Sequence, residues 1–237
     1  MHEEKGGGLA RPFARLEGYA VGDKDTQGLD AANLLLRPVM LLAVACAYVL
    51  GTFPSADLAA RFALGHHAEI RDMGSGNPGA ANVMGELGKG WGLFVLVLDI
   101  AKGVAACAVG RWMGGGAAAS AAGTAAVIGH CFPLWNGFRG GKGVATAGGQ
   151  MVTTFPALVP IAAVVALAGS RLRSRVYGLV CVAWVAGSAL WWAADWPNLW
   201  GPKPTGALVL GAAASSAVVI YRFATASSVD SITTSAA

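Results

Sequence analysis

Charge is scarce in this 237-residue chain: its 17 basic and 13 acidic residues make up 13% of the sequence, about half the share of an ordinary soluble domain. With 55% hydrophobic residues and a mean hydropathy of +0.54, that scarcity excludes a water-soluble globule and points to a polytopic membrane protein. The four cysteines, at 46, 107, 131 and 181, form no CxxC pair and fall inside or beside apolar stretches. They read as inert membrane cysteines, and neither a zinc site nor a disulfide framework is expected. The net charge of +4 is small and scattered, so no nucleic-acid partner is expected. Collagen, coiled-coil and disordered classes are excluded too, and no internal repeat stands out. What the chain does have is 34 glycines and long apolar runs.

Residues 1–36 are polar, lack apolar periodicity and read as a tail without a core. Their length before the first apolar run argues against a cleaved signal peptide. Charge-free windows follow at 38–56, 112–138, 143–170, 176–194 and 204–221, each long enough to cross a bilayer. Segment 90–110 is equally apolar except for Asp99 and Lys102, three apart on one helical face, where opposite charges can pair. One straight helix over 143–170 would run about 42 Å against a hydrocarbon core near 30 Å, and Pro156 suggests a break. Two short passes there bring Arg139 and Lys142 to the same side as Arg171, Arg173 and Arg175. The expectation is an all-α polytopic integral membrane protein of about seven transmembrane helices, its membrane domain over 37–223 and a short polar tail over 224–237. Arg61, Arg71, Lys89, Arg139, Lys142, the three arginines at 171–175 and Arg222 then share one face, against Arg111 and Lys203 on the other. That bias makes the first face cytoplasmic, with the N-terminus outside and the C-terminus inside.

Two loops carry chemistry. Met73-Gly74-Ser75-Gly76-Asn77-Pro78-Gly79-Ala80-Ala81-Asn82 contains GxGxxG, but it lies between membrane spans without the strand and acidic residue that a dinucleotide fingerprint needs. Its small residues instead let the backbone approach a ligand and aim N–H groups at an anion. The second loop, Phe138-Arg139-Gly140-Gly141-Lys142-Gly143-Val144-Ala145-Thr146, leads directly into a membrane helix. Walker A spacing fails there, yet a helix N-terminus plus the Lys142 charge suits an anion. A lysine enclosed by three glycines is odd as mere topological punctuation.

The remaining polar residues are less decided. Asp99 and Lys102 are either a structural ion pair or part of a site. His130 can serve as a general base near neutral pH, though a lone histidine beside Cys131 and Pro133 is more often structural. Trp91, Trp112, Trp135, Trp196 and Trp200 fall near helix ends, as interfacial anchors do.

GTFPSA at 51–56, GSGNPGAANV at 74–83, LDIAKG at 98–103 and GHCFPLWNGFRGGKGVATA at 129–147 resemble the bacterial acyl-phosphate:glycerol-3-phosphate acyltransferases, the PlsY family, over roughly 42–222. The resemblance implies a multi-pass enzyme of the bacterial inner membrane with a cytoplasmic active site. It implies acyl transfer from acyl phosphate to the 1-hydroxyl of sn-glycerol 3-phosphate, giving lysophosphatidic acid and phosphate, with no cofactor, coenzyme A or metal. By the same resemblance Ser75 and Lys142 are the catalytic candidates. Gly74, Gly76, Asn77 and the amides of Gly140, Gly141 and Gly143 would hold phosphate, Asn82, Asp99 and Lys102 would shape the site, and His130, Thr146 and Arg175 complete the set. The chain departs from the family pattern at Gly85, where an arginine is usual, at Gly178 and Cys181, where two serines are usual, and from Phe223 on, where a histidine and an Asn-Ile run are usual. Those departures fall on the acceptor side, which leaves open a diverged paralogue of low activity or with another acceptor. An organophosphate transporter is the reading from a different class, since glycine-broken helices facing a charged cleft also build carrier sites.

Overall fold

Small residues set how the helices meet. Ala43, Ala47 and Gly51 recur at every fourth position of α1 (Pro38–Gly51) and are all buried. A Cβ on Gly51 would run into the backbone of Ala126, and one on Gly129 into the Tyr48 carbonyl, so the two helices touch backbone to backbone. The structure is a computed structural model that describes residues 38–169 and 175–235. The tail expected over 1–36, with Arg171 and Arg173, lies outside the described residues, as does the side chain of Arg175. Among the described residues all regular structure is helical. After α1 come α2 (Ser55–Leu64), α3 (Ala80–Leu87), α4 (Lys89–Cys131), α5 (Val144–Thr154), α6 (Val159–Gly169), α7 (Arg175–Ala194) and α8 (Gly206–Ser235).

Helix α4 is folded back on itself. A straight helix of its 43 residues would run about 64 Å, twice the hydrocarbon thickness. The fold-back falls at Gly114 and Gly115, and Gly115 has φ +75°, which glycine alone adopts freely. The two arms then lie side by side: Gly110 abuts Ala118, and Gly123 abuts Cys107. Helix α5 packs on the first arm at Gly103 and Gly149 with no room for a side chain at either.

The break expected at Pro156 is present. Helices α5 and α6 meet at a 119° bend, so the chain heads back toward the side it came from. Backbone groups at such a break need partners when lipid is near. They come from the connection between α7 and α8, where Asn198 Nδ2 donates to the Thr154 and Pro202 carbonyls, both at 2.8 Å, and Trp200 Nε1 donates to the Val152 carbonyl at 2.9 Å. Deeper in the bundle Gln150 on α5 donates to the Ser120 carbonyl and the Thr124 hydroxyl, each at 3.3 Å, and accepts from Ser215 at 2.7 Å, tying α5 to α4 and α8.

Among the described residues four helical stretches are long and apolar enough to cross a membrane (38–64, 89–136, 176–194 and 206–226), or five with the bent pair counted as one span. The expected seven passes count the arms of α4 and the limbs of the bent pair separately. Helix α8 continues to Ser235, through the stretch read as a polar tail. All four cysteines are free thiols; three are buried and Cys46 is exposed.

Candidate active site

At the end of the bundle opposite the Gly114–Gly115 turn, the first span comes apart. Pro54 has no amide to donate, and the helix lets go between Gly51 and Ser55. Lys102 Nζ, on the first arm of α4, takes up the Phe53 carbonyl at 3.3 Å. The same ammonium lies 2.8 Å from Asp99 Oδ1. That oxygen also accepts from Ser55 Oγ at 2.9 Å and faces His130 Nδ1, on the second arm, at 3.6 Å. Groups from the unwound span and both arms of α4 thus converge on one carboxylate. Each buried charge has an opposite charge or a dipole against it, the condition for keeping ionisable groups at membrane depth. The ion pair expected between Asp99 and Lys102 is present, and with His130 it lines a cleft together with Asp57, Arg71, Pro78, Asn136, Gly140 and Gly141.

The first glycine loop reaches the cleft through Pro78. Gly74 and Gly76 adopt φ +53° and +66°. A Cβ on Gly74 would press on the side chains of Asn82 and Glu86 at 2.5 Å. Asn82, in the first turn of α3, clamps the loop: its Oδ1 accepts from the Ser75 amide at 2.9 Å and the Ser75 hydroxyl at 3.1 Å, while its Nδ2 donates to the Met73 carbonyl at 3.0 Å. Ser75 is exposed and is not among the residues lining the cleft, and the Asn77 carbonyl closes the turn by accepting the Gly79 amide at 2.8 Å. Arg71, just before this loop, staples it to the second: NH1 donates to Asp57 Oδ1 at 2.6 Å and Nε to the Arg139 carbonyl at 3.1 Å.

In the second loop the structure revises one expectation. The amides of Gly140 and Gly141 donate to the carbonyls of Cys131 and His130, both at 3.1 Å, forming a turn against the end of α4 rather than facing a ligand. The donors left for an anion are those opening α5, from Gly143 onward, where a helix start has no carbonyls to offer them. The glycines are required sterically: a Cβ on Gly141 would strike the His130 ring, and one on Gly143, at φ +80°, would sit 2.8 Å from Cys131 Sγ. Lys142 does not line the cleft with Asp99. Its Nζ lies 4.8 Å from the centroid of the Phe223 ring, which stacks on Tyr177 at 5.1 Å. Thr146 is fully buried, and its hydroxyl has no hydrogen-bond partner among the described residues.

Sequence reasoning passed over Ser55, Asp57, Arg71 and Arg222 as site residues. Arg71 stood three residues before Gly74, a usable signal. Arg222 had none, because its contacts with the second loop span more than 80 positions.

The sequence profile of the glycerol-3-phosphate acyltransferase family matches residues 41–228, from α1 into α8 and across both glycine loops. The chain belongs to this family. It is 38% identical to the glycerol-3-phosphate acyltransferase of Anaeromyxobacter dehalogenans over 68% of this chain and 80% of that relative. To the Pseudomonas aeruginosa enzyme of the same description it is 45% identical over 53% of this chain and 65% of the relative, just under two thirds of the latter's length. Among solved structures it matches the glycerol 3-phosphate form of PlsY (YgiH), an integral membrane glycerol 3-phosphate acyltransferase, with a TM-score of 0.64 at 30% identity over 83% of this chain and 92% of that one. The lysophosphatidic acid form matches with a TM-score of 0.62 at 30% identity, over 77% and 87%. An all-helical membrane acyltransferase is therefore the class to which the motifs and the fold both lead.

Proposed function

We propose that this chain transfers an acyl group from an acyl phosphate to the 1-hydroxyl of sn-glycerol 3-phosphate, releasing inorganic phosphate and lysophosphatidic acid for phospholipid synthesis. The observation that carries this reading is the meeting of the two glycine loops over the Asp99–Lys102–His130 cluster, with Arg71 stapling one loop to the other. Both substrates carry phosphate and one carries a lipid chain, so a polar cleft with helix-start donors, set at one end of an apolar bundle, suits both.

Acyl phosphate is a mixed anhydride and needs no covalent nucleophile from the protein. The acceptor oxygen bonds to the acyl carbon, the carbon–oxygen bond to phosphate breaks, and the hydroxyl proton leaves on a phosphate oxygen. Positioning and charge stabilisation supply the rate. In this reading Lys142 and the amides opening α5 hold one phosphate. Ser75, pre-set by Asn82, and the loop from Gly74 to Asn77 hold the other end of the reacting pair. Lys102 and His130 shape the cleft floor, and Thr146 and Arg175 complete the substrate-binding set. The enzyme sits in the bacterial inner membrane with the cleft, both loops and the C-terminus facing the cytoplasm and the N-terminus outside. The arms of α4 and the limbs of the bent α5–α6 pair support seven passes.

Purified protein supplied with palmitoyl phosphate and labelled glycerol 3-phosphate tests the reaction directly. Labelled lysophosphatidic acid with equimolar phosphate is expected. Lys142→Ala is expected to remove most activity and Lys142→Arg to recover little of it, since a planar fork is bulkier than the compact ammonium held over the Phe223 ring. Wild-type turnover of acyl phosphate by Lys142→Ala would show that the cradle lies elsewhere.

A further inference from the structure

The second glycine loop is held from the last helix as well as by its own turn. Two adjacent residues of α8 do it. Arg222 donates from NH2 to the Gly140 carbonyl at 2.6 Å and from Nε to the Gly141 carbonyl at 3.1 Å, a two-point grip on consecutive peptide groups. Its guanidinium is held in turn over the Phe132 ring, 5.4 Å from the centroid. Phe223 presents its ring face to Lys142 Nζ at 4.8 Å and is backed by Tyr177, stacked at 5.1 Å with the planes 19° apart. Lys142 forms no ion pair with any carboxylate among the described residues.

That last point gives the aromatic contact its meaning. A lysine flanked by Gly141 and Gly143 has no neighbouring side chain to fix its four-carbon stem. A carboxylate would fix the ammonium but would cancel its charge and repel a phosphate dianion. A ring face attracts the cation and adds no negative charge. We infer that Arg222 and Phe223 are positioning residues for the second glycine loop: Arg222 sets the Gly140–Gly141 backbone, and Phe223, braced by Tyr177, parks the Lys142 ammonium with its charge unspent. The inference rests on the reading of Lys142 as a phosphate ligand.

The test is a double-mutant cycle between Phe223→Leu and Lys142→Ala in the full-length protein. It is read out both as kcat/KM for palmitoyl phosphate at saturating glycerol 3-phosphate and as the Kd for palmitoyl phosphate without acceptor, which stays measurable when turnover is lost. Phe223→Leu keeps the apolar volume and removes the ring face. In the wild-type background it is expected to lower kcat/KM roughly 3- to 20-fold, the span of a partly desolvated cation–π contact. Phe223→Tyr, which restores a face, is expected within about twofold of wild type. On the Lys142→Ala background Phe223→Leu is expected to change nothing further. Arg222→Lys keeps the charge but lacks the planar fork that meets the two carbonyls from separate nitrogens, and is expected to show the same non-additivity. A Phe223→Leu loss that is undiminished on the Lys142→Ala background, or no loss in the wild-type background, would overturn this inference alone. Wild-type kcat/KM and Kd in Lys142→Ala itself would overturn the phosphate reading and the inference with it.

Discussion

A Cβ at position 85 would meet no other atom within 4 Å. Gly85 is exposed on α3, and a Cβ built there finds open space, as does one at Gly178 on α7. Nothing steric therefore requires glycine at 85 and 178, where the family resemblance sets an arginine and a serine, whereas Cys181 is buried with its carbonyl facing Ser216 and Phe223 contacts Lys142. Restoring the arginine tests what its absence costs. Gly85→Arg is expected to lower the KM for glycerol 3-phosphate by tenfold or more, because a charge-assisted hydrogen bond to phosphate contributes on the order of 1.5–3 kcal/mol. Steady-state kinetics with acceptor varied at saturating palmitoyl phosphate reads it. An unchanged KM beside a higher Tm would mean that the arginine acts only through helix propensity, where glycine is the poorer former by about 1 kcal/mol.

The elements that carry the site are broken helices, and each break has an identifiable partner. The gap after Gly51 is served by Lys102, and the bend after Thr154 by Asn198 and Trp200. The break at Pro156 was legible in the sequence; the one at Pro54 was not, since 38–56 reads as a single span, although a ring without an amide leaves few ways to continue a helix there too. What serves them was legible at neither. Asn198 sits in a connection whose Asp195 and Leu199 take φ +53° and +49°, a local shape that composition does not announce. Helix α5 carries the second glycine loop at one end and Asn198 holds its other end, so the expected effect of Asn198→Ala is a loss of about 1–3 kcal/mol for the orphaned carbonyls. Unfolding midpoints in detergent measure it. Asn198→Asp is the sharper probe: nearly the same shape, but when ionised it only accepts, and it would face two carbonyls. Wild-type stability in that variant would dispose of the donor role.

At the scale of the whole molecule, the glycine loops were legible because their motifs are local, while the assembly of the cleft was not, because it depends on the fold-back of α4. Two arms that diverge in sequence from Gly114 bring His130 to Asp99, and no periodicity within either arm reports that meeting. The same fold-back fixes the polarity of the bundle. Arg61, Arg71, Lys89, Arg139, Lys142 and Arg222 gather at the end that holds the cleft. Arg111, whose guanidinium reaches the Trp200 carbonyl at 3.3 Å, and Lys203, paired with Asp195 at 3.1 Å, mark the other. In the proposed orientation the basic end, and the cleft with it, faces the cytoplasm, where soluble glycerol 3-phosphate is found. Single cysteines in a Cys46→Ser background test this with an impermeant maleimide. Gly85→Cys and Phe138→Cys, both at exposed positions, are expected to react only after the membrane is opened, and Lys203→Cys in sealed cells. Labelling of Phe138→Cys in sealed cells, with Lys203→Cys protected, would invert the molecule and move the cleft to the face where the acceptor is absent.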